Sequence, residues 1–382
     1  MDIGEKAIKL HKKYRGKIET RVKIPLRNIK DLSSAYTPGV AKVCQEIKND
    51  ISKVYDYTDR GNLVAIVTDG SAVLGLGNIG PEAALPVMEG KAALFKKFAN
   101  VDAIPICLKT QDVDEIVNIV KNLEPSFGGI NLEDISAPRC FEIEERLKKE
   151  MNIPVFHDDQ HGTAIVVLAG LINALKIVKK NFYEIKVVIN GAGAAGLAIA
   201  KLLLNYGVRD IVILDSKSAI YAGRADLNFA KAEIATQTNL SKLSGKLEEL
   251  LPKVDVFVGV SAPNILKQEW IKLMNREPII FAMANPIPEI DPEIALKCGA
   301  KIVATGRSDY PNQINNVLVF PGIFRGIFDC GAKEITDKMK IGVAKALAAI
   351  IPESKLKTNY IIPRPFDKKV VKSVSTAVIN SI

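Results

Sequence analysis

The chain has 382 residues, of which 48% are hydrophobic and 25% charged, and its mean hydropathy is +0.12. This length and composition predict a folded protein of two domains with sizeable cores. The net charge of +9 comes from Lys and Arg residues that are interspersed with Asp and Glu along the whole chain. We therefore expect a solvated basic surface and no binding to nucleic acid.

The cysteines and the N-terminus bear on the cellular compartment. The five cysteines are odd in number, far apart and without CxxC spacing, which argues against a disulfide framework or a thiolate metal site and predicts a reducing compartment. The first residues, MDIGEKAIKLHKKY, lack the apolar segment of a signal peptide, and no later apolar run reaches the length that we expect of a membrane span. We therefore expect a cytoplasmic protein with no membrane association.

The first third of the chain contains two candidate catalytic residues. Tyr36 follows a basic helical segment and precedes the turn formers Thr-Pro-Gly, which would hold its phenol in a fixed position. A buried strand at 62–68 leads to the loop GLGNIG at 75–80 and then to a helix that carries Lys91. The loop fits the pattern GxGxxG but does not directly follow the strand, so we do not expect it to bind a dinucleotide. Tyr36 could instead be a packing residue, and Lys91 a surface lysine.

Two pairs of carboxylates each follow a short apolar, strand-like run. The first pair is Glu133 and Asp134, and the second is Asp158 and Asp159. A helical segment joins the two runs, so both pairs should lie at the same edge of a parallel sheet. The apolar segment that opens at Gly162 is too long for a strand and predicts a helix.

The sequence HDDQH at 157–161 admits three interpretations. It could be a solvated turn whose Asp and Gln side chains cap the next helix. His157 and His161 have the spacing of a zinc hydrolase motif, but Asp158 replaces the Glu of that motif and Gly162 suits such a helix poorly. The third interpretation is a Mg²⁺ or Mn²⁺ site, which the two carboxylate pairs favour because these ions prefer oxygen ligands.

The second half begins with the pattern of a dinucleotide-binding site. The strand KVVIN runs directly into GAGAAG at 191–196, and a helix and a second strand ending in Asp215 follow. Such glycines turn the chain tightly, let backbone N–H groups approach the pyrophosphate and let the helix pack closely. Asp215 would accept a hydrogen bond from a ribose 2′-hydroxyl and repel a 2′-phosphate, which favours NAD, although Lys217 and Arg224 could accommodate NADP. The predicted cofactor contacts are Gly191, Gly193, Ala194, Ala195, Gly196, Asp215 and Asn285.

Further strand-like segments between 254 and 306 end in small or polar residues. Asn285 precedes a proline, so it should leave its strand extended, with its amide free to point into the crevice. Asn315 and Asn316 form a second amide cluster. Such asparagines commonly form turns or local caps, but an uncharged amide can also orient a carboxylate or a hydroxyl. The tail from 335 to 382 should be helical and pack back on the sheet.

These elements together predict an α/β fold with two domains. Residues 1–160 would form an N-terminal α/β domain with a parallel sheet. Residues 161–382 would form a doubly wound Rossmann NAD(P)-binding domain that ends in C-terminal helices.

Seven motifs in order resemble the malic enzymes, in particular their short bacterial and archaeal form, over nearly the whole chain. They are AYTPGV at Tyr36, VMEGKA at Lys91, NLEDIS at Glu133, VFHDDQHGTA at Asp158, NGAGAAG at Gly191, ANPIPE at Asn285 and NNVLVFPG at Asn315. The resemblance implies oxidative decarboxylation of L-malate to pyruvate and CO₂ with reduction of NAD(P), which such enzymes can combine with decarboxylation of oxaloacetate. It also implies a homodimer.

The resemblance further implies roles for individual residues. A Mg²⁺ or Mn²⁺ ion would lower the pKa of the substrate hydroxyl and stabilise the enolate. Lys91 would accept the hydroxyl proton, which requires a pKa depressed by burial or by a nearby cation, and Asp158 would orient it. Tyr36 would protonate C3 of enolpyruvate. The implied metal ligands are Glu133, Asp134 and Asp159, and the implied substrate amides are Asn285, Asn315 and Asn316.

One departure from the family pattern and several alternative functions accompany this interpretation. Larger members carry an Arg for the substrate carboxylate where this chain has Ser71-Ala72-Val73. The contact with the substrate carboxylate must therefore come from another residue.

A malolactic variant would keep the cofactor bound without net redox change. A non-catalytic dinucleotide-binding regulator is disfavoured because Tyr36, Lys91 and the carboxylates are all present, and a zinc hydrolase is a more distant alternative.

Overall fold

A computed structural model describes residues 2–382, apart from the side chain at position 74. Its N-terminal sheet is parallel, with the strand order β2-β1-β3-β4. The strands are β1 (Leu63–Thr68), β2 (Asp102–Cys107), β3 (Gly129–Leu132) and β4 (Val155–His157). β1 and β3 lie in the centre and are buried almost throughout, as expected for apolar strands that helices cover on both faces.

The second sheet is also parallel and has the order β6-β5-β7-β8-β9. Its strands are β5 (Lys186–Asn190), β6 (Asp210–Leu214), β7 (Val256–Gly259), β8 (Ile279–Ala282) and β9 (Ile302–Thr305). The chain crosses from β6 at one edge to β7 on the other side of β5, which opens a crevice at the carboxyl ends of these strands. The predicted α/β class with a Rossmann-like half is confirmed, whereas the predicted boundary between 1–160 and 161–382 stays a prediction.

The helices cover both sheets. In the first half they are α1 (Ile3–Tyr14), α2 (Ile29–Ala35), α3 (Val40–Asn49), α4 (Val54–Tyr57), α5 (Pro81–Ala99), α6 (Val113–Leu123), α7 (Arg139–Glu150) and α8 (Asp158–Val178). In the second half they are α9 (Ala194–Tyr206), α10 (Phe229–Ala235), α11 (Leu247–Leu250), α12 (Gln268–Ile271), α13 (Pro292–Lys297), α14 (Phe320–Cys330), α15 (Asp337–Ala349) and α16 (Lys369–Ile379). The helices of the predicted tail, α15 and α16, contribute buried side chains to the largest apolar core. The preceding helix α14 reaches the N-terminal half, because the ring centroids of Phe320 and of Phe95 in α5 are 4.8 Å apart.

The central helix α8 differs from the sequence expectation in two ways. It begins at Asp158, four residues before the predicted start, because carboxylates in a first turn are stabilised by the free N–H groups there. By length and hydropathy it could also cross a membrane, although no run of that kind was expected. Most of its apolar window, 72%, is buried inside the protein, as in the core helix of a folded domain.

The first 62 residues, which we call the N-terminal arm, differ from the rest of the chain. The arm contains α1 to α4, and none of its described residues, 2–62, is buried. The apolar cores of the described protein take their members from residue 63 onwards. The arm therefore lies on the surface of the chain and contributes nothing to its interior.

Candidate functional site

Lys91 projects from α5 into the protein at the ends of the N-terminal strands. The buried positions Met88, Ala92 and Phe95 define the face of α5 that packs on the sheet, and Lys91 lies on this face with only 6% of its surface exposed. Its Nζ donates a hydrogen bond to Asp158 Oδ2 at 2.5 Å. Lys91 and Asp158, which the resemblance implied as partners, are therefore in direct contact.

Three further carboxylates meet beside this lysine. Glu133 and Asp134 follow β3, and Asp159 lies in the first turn of α8 after the neighbouring strand β4. One oxygen from each of the three lies within 4.8 Å of the others. Lys91 Nζ is 2.5 Å from Glu133 Oε2, and the Asp134 N–H donates to Asp159 Oδ2 at 2.8 Å. The predicted convergence of both carboxylate pairs at one sheet edge is therefore present.

The electrostatics of these carboxylates fit a divalent cation. Burial raises the pKa of Glu133 and that of Asp159, because each charge has lost its water. Burial likewise raises the pKa of Asp158 to about 8, against the lowering effect of the Lys91 ammonium. A bound Mg²⁺ or Mn²⁺ ion would stabilise the negative charges of such a compact set of oxygen donors.

The pKa of Lys91 is raised, whereas the role implied by the resemblance requires a lowered pKa. Burial does lower it, but the carboxylates of Asp158, Glu133 and Asp159 together outweigh burial, so the pKa lies above its usual value. The expectation that burial could depress this pKa is therefore wrong for the site without a metal. Burial alone is therefore not enough to depress this pKa, and a cation bound to the carboxylates would have to offset their charge.

The two histidines of the HDDQH segment do not form a zinc site. His157 ends β4 and His161 lies in α8, so they do not share a helical face. His161 Nε2 contacts the buried Glu144 at 2.9 Å, away from the carboxylate cluster. Burial lowers the pKa of His157 to about 4 and that of His161 to about 3, so both rings are neutral. The candidate metal-binding group found among residues 2–382 consists of carboxylates only.

A cleft with a volume of about 1060 Å³ joins this cluster to the nucleotide-binding loop. Its walls include most of the predicted site residues: Lys91, Glu133, Asp134, Asp159, Gly193, Ala194, Ala195, Asn285, Asn315 and Asn316. Asp158 lies behind Lys91 and is fully buried. Tyr36 is the exception, because it is 68% exposed and is not among the described residues that line the cleft.

Asn285, Asn315 and Asn316 line the cleft, and Asn315 also caps a local element. Asn315 Oδ1 accepts a hydrogen bond from the Val317 N–H at 2.9 Å and caps a short 3₁₀ helix, as the capping interpretation predicted. Its Nδ2 is 3.4 Å from the Gly306 carbonyl, a weak contact that a ligand could replace. Asn285 is exposed and also lines the cleft. Asn316 lines the cleft beside Asn315, so two segments of the chain contribute amides to its lining.

The loop between β5 and α9 has the geometry that dinucleotide binding needs. Gly191 has φ +125, and a Cβ there would lie 2.5 Å from the Val260 carbonyl oxygen. A Cβ on Gly196 would collide with the Gly191 carbonyl, whereas Gly193 faces open space. α9 begins at Ala194 without a side-chain cap, so its free N–H groups can receive a pyrophosphate.

Asp215 lines a second cavity of about 760 Å³ that shares Gly193 with the cleft. Arg224 Nη2 donates to its carboxylate at 2.5 Å and Lys231 Nζ at 2.7 Å. Desolvation raises the pKa of Asp215, but these two hydrogen bonds outweigh it and lower the pKa far below its usual value. Asp215 is therefore an anion, although Arg224 and Lys231 lie close enough to pair with a phosphate instead. Lys217 instead contacts Asp226 at 2.7 Å.

Sequence reasoning missed two residues at the mouth of the cleft. His11 and Lys17 belong to the N-terminal arm and line the cleft. The Lys17 N–H donates to Glu89 Oε2 at 3.1 Å, and its Nζ donates to the Pro86 carbonyl at 2.5 Å. Burial lowers the pKa of Lys17. The only signal in the sequence was the basic character of this segment, which is common in solvated helices.

Comparisons with known proteins cover almost the whole chain. Residues 15–148 match the family model described as malic enzyme, N-terminal domain, and residues 160–382 match malic enzyme, NAD binding domain. The bifunctional malic/malolactic enzyme of Bacillus subtilis is 61% identical over 99% of this chain and 92% of its own length. The NAD-dependent malic enzyme of Geobacillus stearothermophilus is 60% identical over 96% of this chain and 76% of its own length.

A solved structure agrees with these sequence relatives. The NAD-dependent malic enzyme of Thermotoga maritima has a TM-score of 0.94 and 54% identity to this chain, and the match covers 98% of both chains. The NADP-dependent malic enzyme of Escherichia coli is 47% identical over 95% of this chain, but this chain spans only 50% of that relative's length.

Proposed function

Because this chain belongs to the malic enzyme family, we propose that it converts L-malate to pyruvate and CO₂ with reduction of NAD or NADP. We propose that the reaction depends on Mg²⁺ or Mn²⁺ bound by Glu133, Asp134 and Asp159. The observation that supports this most strongly is the single cleft that the carboxylate cluster shares with the nucleotide-binding loop. Substrate, metal and nicotinamide can meet there, as hydride transfer from malate requires.

In this proposal the chain's own residues handle the protons and orient the substrate. A divalent cation, when bound, would act as a Lewis acid on the C2 oxygen of malate. Lys91 Nζ accepts the C2 hydroxyl proton as C2 is oxidised, and Asp158 fixes its position through their hydrogen bond. The amides of Asn285 and Asn315 orient the substrate without adding charge. Tyr36 donates the proton that C3 gains after CO₂ has left.

A direct assay tests this function. Purified protein is mixed with L-malate and Mn²⁺, in parallel with NAD and with NADP, and both reduced nicotinamide and pyruvate are measured. Equal amounts of the two products are expected. Lactate without accumulation of reduced nicotinamide would indicate the malolactic alternative, for which the bifunctional relative gives a specific reason. Absence of any product would contradict both enzymatic functions.

We expect Lys17 to supply the substrate carboxylate contact that the missing Arg would have made. Apart from Lys91, it is the only Lys or Arg among the described residues that line the cleft. Lys17→Ala should raise the KM for malate about tenfold with little change in kcat, because it removes one charge-assisted contact made equally in ground and transition states. Steady-state kinetics measures this. Lys12→Ala, which removes an exposed lysine of the preceding helix α1, is the control and should leave KM unchanged; an unchanged KM for Lys17→Ala would contradict the role.

We expect Asp215 to make NAD the preferred cofactor. Asp215→Ser should shift the ratio of kcat/KM values towards NADP by about tenfold or more, because it removes repulsion of the 2′-phosphate and releases Arg224 and Lys231 to pair with it. Kinetics with both cofactors measures the ratio. Asp210→Ser removes an exposed carboxylate at the other end of β6 and should leave the ratio unchanged. A wild-type preference for NADP would refute the role.

A further inference from the structure

Asp134 is the candidate metal ligand whose position needs the most support from other segments. The Glu133 N–H still continues the strand ladder, because it donates to the Val67 carbonyl at 2.9 Å, and Asp159 lies in the first turn of α8. Asp134 lies beyond the end of β3 with φ +53, in the left-handed region that non-glycine residues uncommonly adopt. Such a conformation persists only where surrounding contacts hold it.

The loop after β3 is attached to the loop after β1 on both sides of this residue. The Ala72 N–H donates to the Asp134 carbonyl at 2.9 Å. Two residues further along, the Ser136 N–H donates to Ser71 Oγ, also at 2.9 Å. The conformation of Asp134 therefore depends on where the loop after β1 lies.

Arg139, the first residue of α7, connects these two loops to a third one. Its Nη1 donates to Asp69 Oδ2 at 2.8 Å and to the Gln111 carbonyl at 2.6 Å. Its Nη2 donates to the hydroxyl oxygens of Ser71 and Ser136, at 3.0 Å each. These acceptors belong to the loops after β1, β2 and β3, which are neighbouring strands of the first sheet. One guanidinium therefore joins three adjacent loops at the carboxyl edge of that sheet.

The carboxylate of Asp69 holds the guanidinium at this place. Asp69 is fully buried, and a buried carboxylate that loses its cation is strongly destabilised. Its Oδ1 accepts hydrogen bonds from the backbone N–H and the hydroxyl of Ser71, at 3.0 and 2.5 Å. The ion pair of Arg139 with Asp69 therefore also sets the position of Ser71, which in turn accepts the Ser136 N–H.

The arrangement requires the shape of an arginine and not only its charge. The guanidinium presents its donors in a rigid planar fork, so its two Nη atoms can reach acceptors on separate loops at once. A lysine has three donors on a single atom. A lysine at position 139 could pair with Asp69, but it could not also reach Gln111 and both serines. A substitution at this position can therefore separate charge from loop positioning.

We propose that Arg139 is a positioning residue of the metal site, which holds the loops after β1, β2 and β3 so that the Asp134 carboxylate is directed towards the cation. This inference rests on the metal site of the proposed function. Arg139 is not among the described residues that line the cleft, whereas Ala72, Asp134 and Ser136 are. Arg139 therefore acts through the loops and not by touching the substrate.

Arg139→Lys tests this role, because it keeps a positive charge beside Asp69 and removes the fork. Calorimetric titration should show Mn²⁺ affinity lowered about tenfold or more, the loss expected when a group that supports a metal ligand is removed. Binding of NAD, measured by fluorescence titration, should stay normal and so confirm that the variant is folded. Arg146→Lys is the matched control, because Arg146 lies in the same helix but bonds to Asp114 at 2.6 Å; it should leave Mn²⁺ affinity unchanged.

Ser71→Ala is an independent test that leaves the ion pair of Arg139 with Asp69 intact, so it should fold even if Arg139→Lys does not. It removes the acceptor of the Ser136 N–H and should also weaken Mn²⁺ binding. The double variant should bind Mn²⁺ about as weakly as the weaker single variant, because both substitutions act on the same contact between loops. Losses that multiply would show independent effects and would overturn the proposed connection.

The outcomes distinguish this inference from the proposed function. If Arg139→Lys and Ser71→Ala bind Mn²⁺ normally while the wild type turns over malate, the function stands and Arg139 is only the counter-charge of Asp69. If both variants bind Mn²⁺ weakly but the wild type does not turn over malate, the positioning role stands and the function is wrong. A wild type that binds no Mn²⁺ would overturn the metal site and the role of Arg139 together.

Discussion

Lys91→Ala should lower kcat by about 10³-fold, the loss expected when a general base is removed. The variant should still fold, because Asp158 and Glu133 can take up protons when their ammonium partner is lost; burial already raises the pKa of each. Binding of NAD, measured by fluorescence titration, should be close to normal, since Lys91 is on α5 and the glycine loop lies between β5 and α9. The defect should therefore appear in turnover and not in assembly or cofactor binding.

One further variant and a rescue experiment show whether Lys91 acts as a base or only as a positive charge. Lys91→Arg keeps the positive charge beside Asp158 but cannot give up a proton near neutral pH, so it should be as inactive as Lys91→Ala. Added methylammonium should restore part of the activity of Lys91→Ala only. Lys340→Ala removes another buried lysine, bonded to Asp337 outside the cleft, and controls for lost stability. High activity in Lys91→Arg would refute the assignment as base.

The sequence sufficed to predict the edge where the carboxylates meet. β3 and β4 are short apolar runs joined through α7, and a parallel crossover requires both to end at the same edge of the sheet. The fingerprint at 191–196 was equally informative, because its glycines are needed for close approaches that the structure contains. In both cases local pattern and sheet topology determine the arrangement together.

Other parts of the site depend on contacts that local pattern does not encode. Asp134 adopts φ +53, and long-range contacts hold it there, among them its N–H bond to Asp159 Oδ2 and the bond that its carbonyl accepts from the Ala72 N–H. Lys17 reaches the cleft because Glu89 and Pro86 anchor the arm, a long-range contact between unrelated segments. Tyr36 illustrates the same limit, since its motif predicts a fixed phenol but not that the phenol is exposed outside the cleft of its own chain.

Asp159→Asn should weaken Mn²⁺ binding by about 100-fold or more and lower kcat by about 10³-fold. The amide is nearly isosteric and its oxygen can still accept the Asp134 N–H, so the loop after β3 should keep its conformation. What is lost is one of three charged ligands for a cation that selects hard, anionic oxygen. Calorimetric titration with Mn²⁺ measures the affinity, and kinetics at saturating Mn²⁺ measures the remaining turnover.

The matched control for this variant is Asp255→Asn. Asp255 is a carboxylate that bonds to Lys180 and to the Lys186 N–H at the opposite end of the second sheet. Its loss should lower the melting temperature without changing the affinity for Mn²⁺. If Asp159→Asn instead lowered the melting temperature alone and bound Mn²⁺ normally, Asp159 would be a structural partner of the Asp134 backbone and the metal would have to bind elsewhere. Because Asp159 belongs to the candidate metal cluster and Asp255 does not, only a metal-binding role of Asp159 can separate the two variants in the titration.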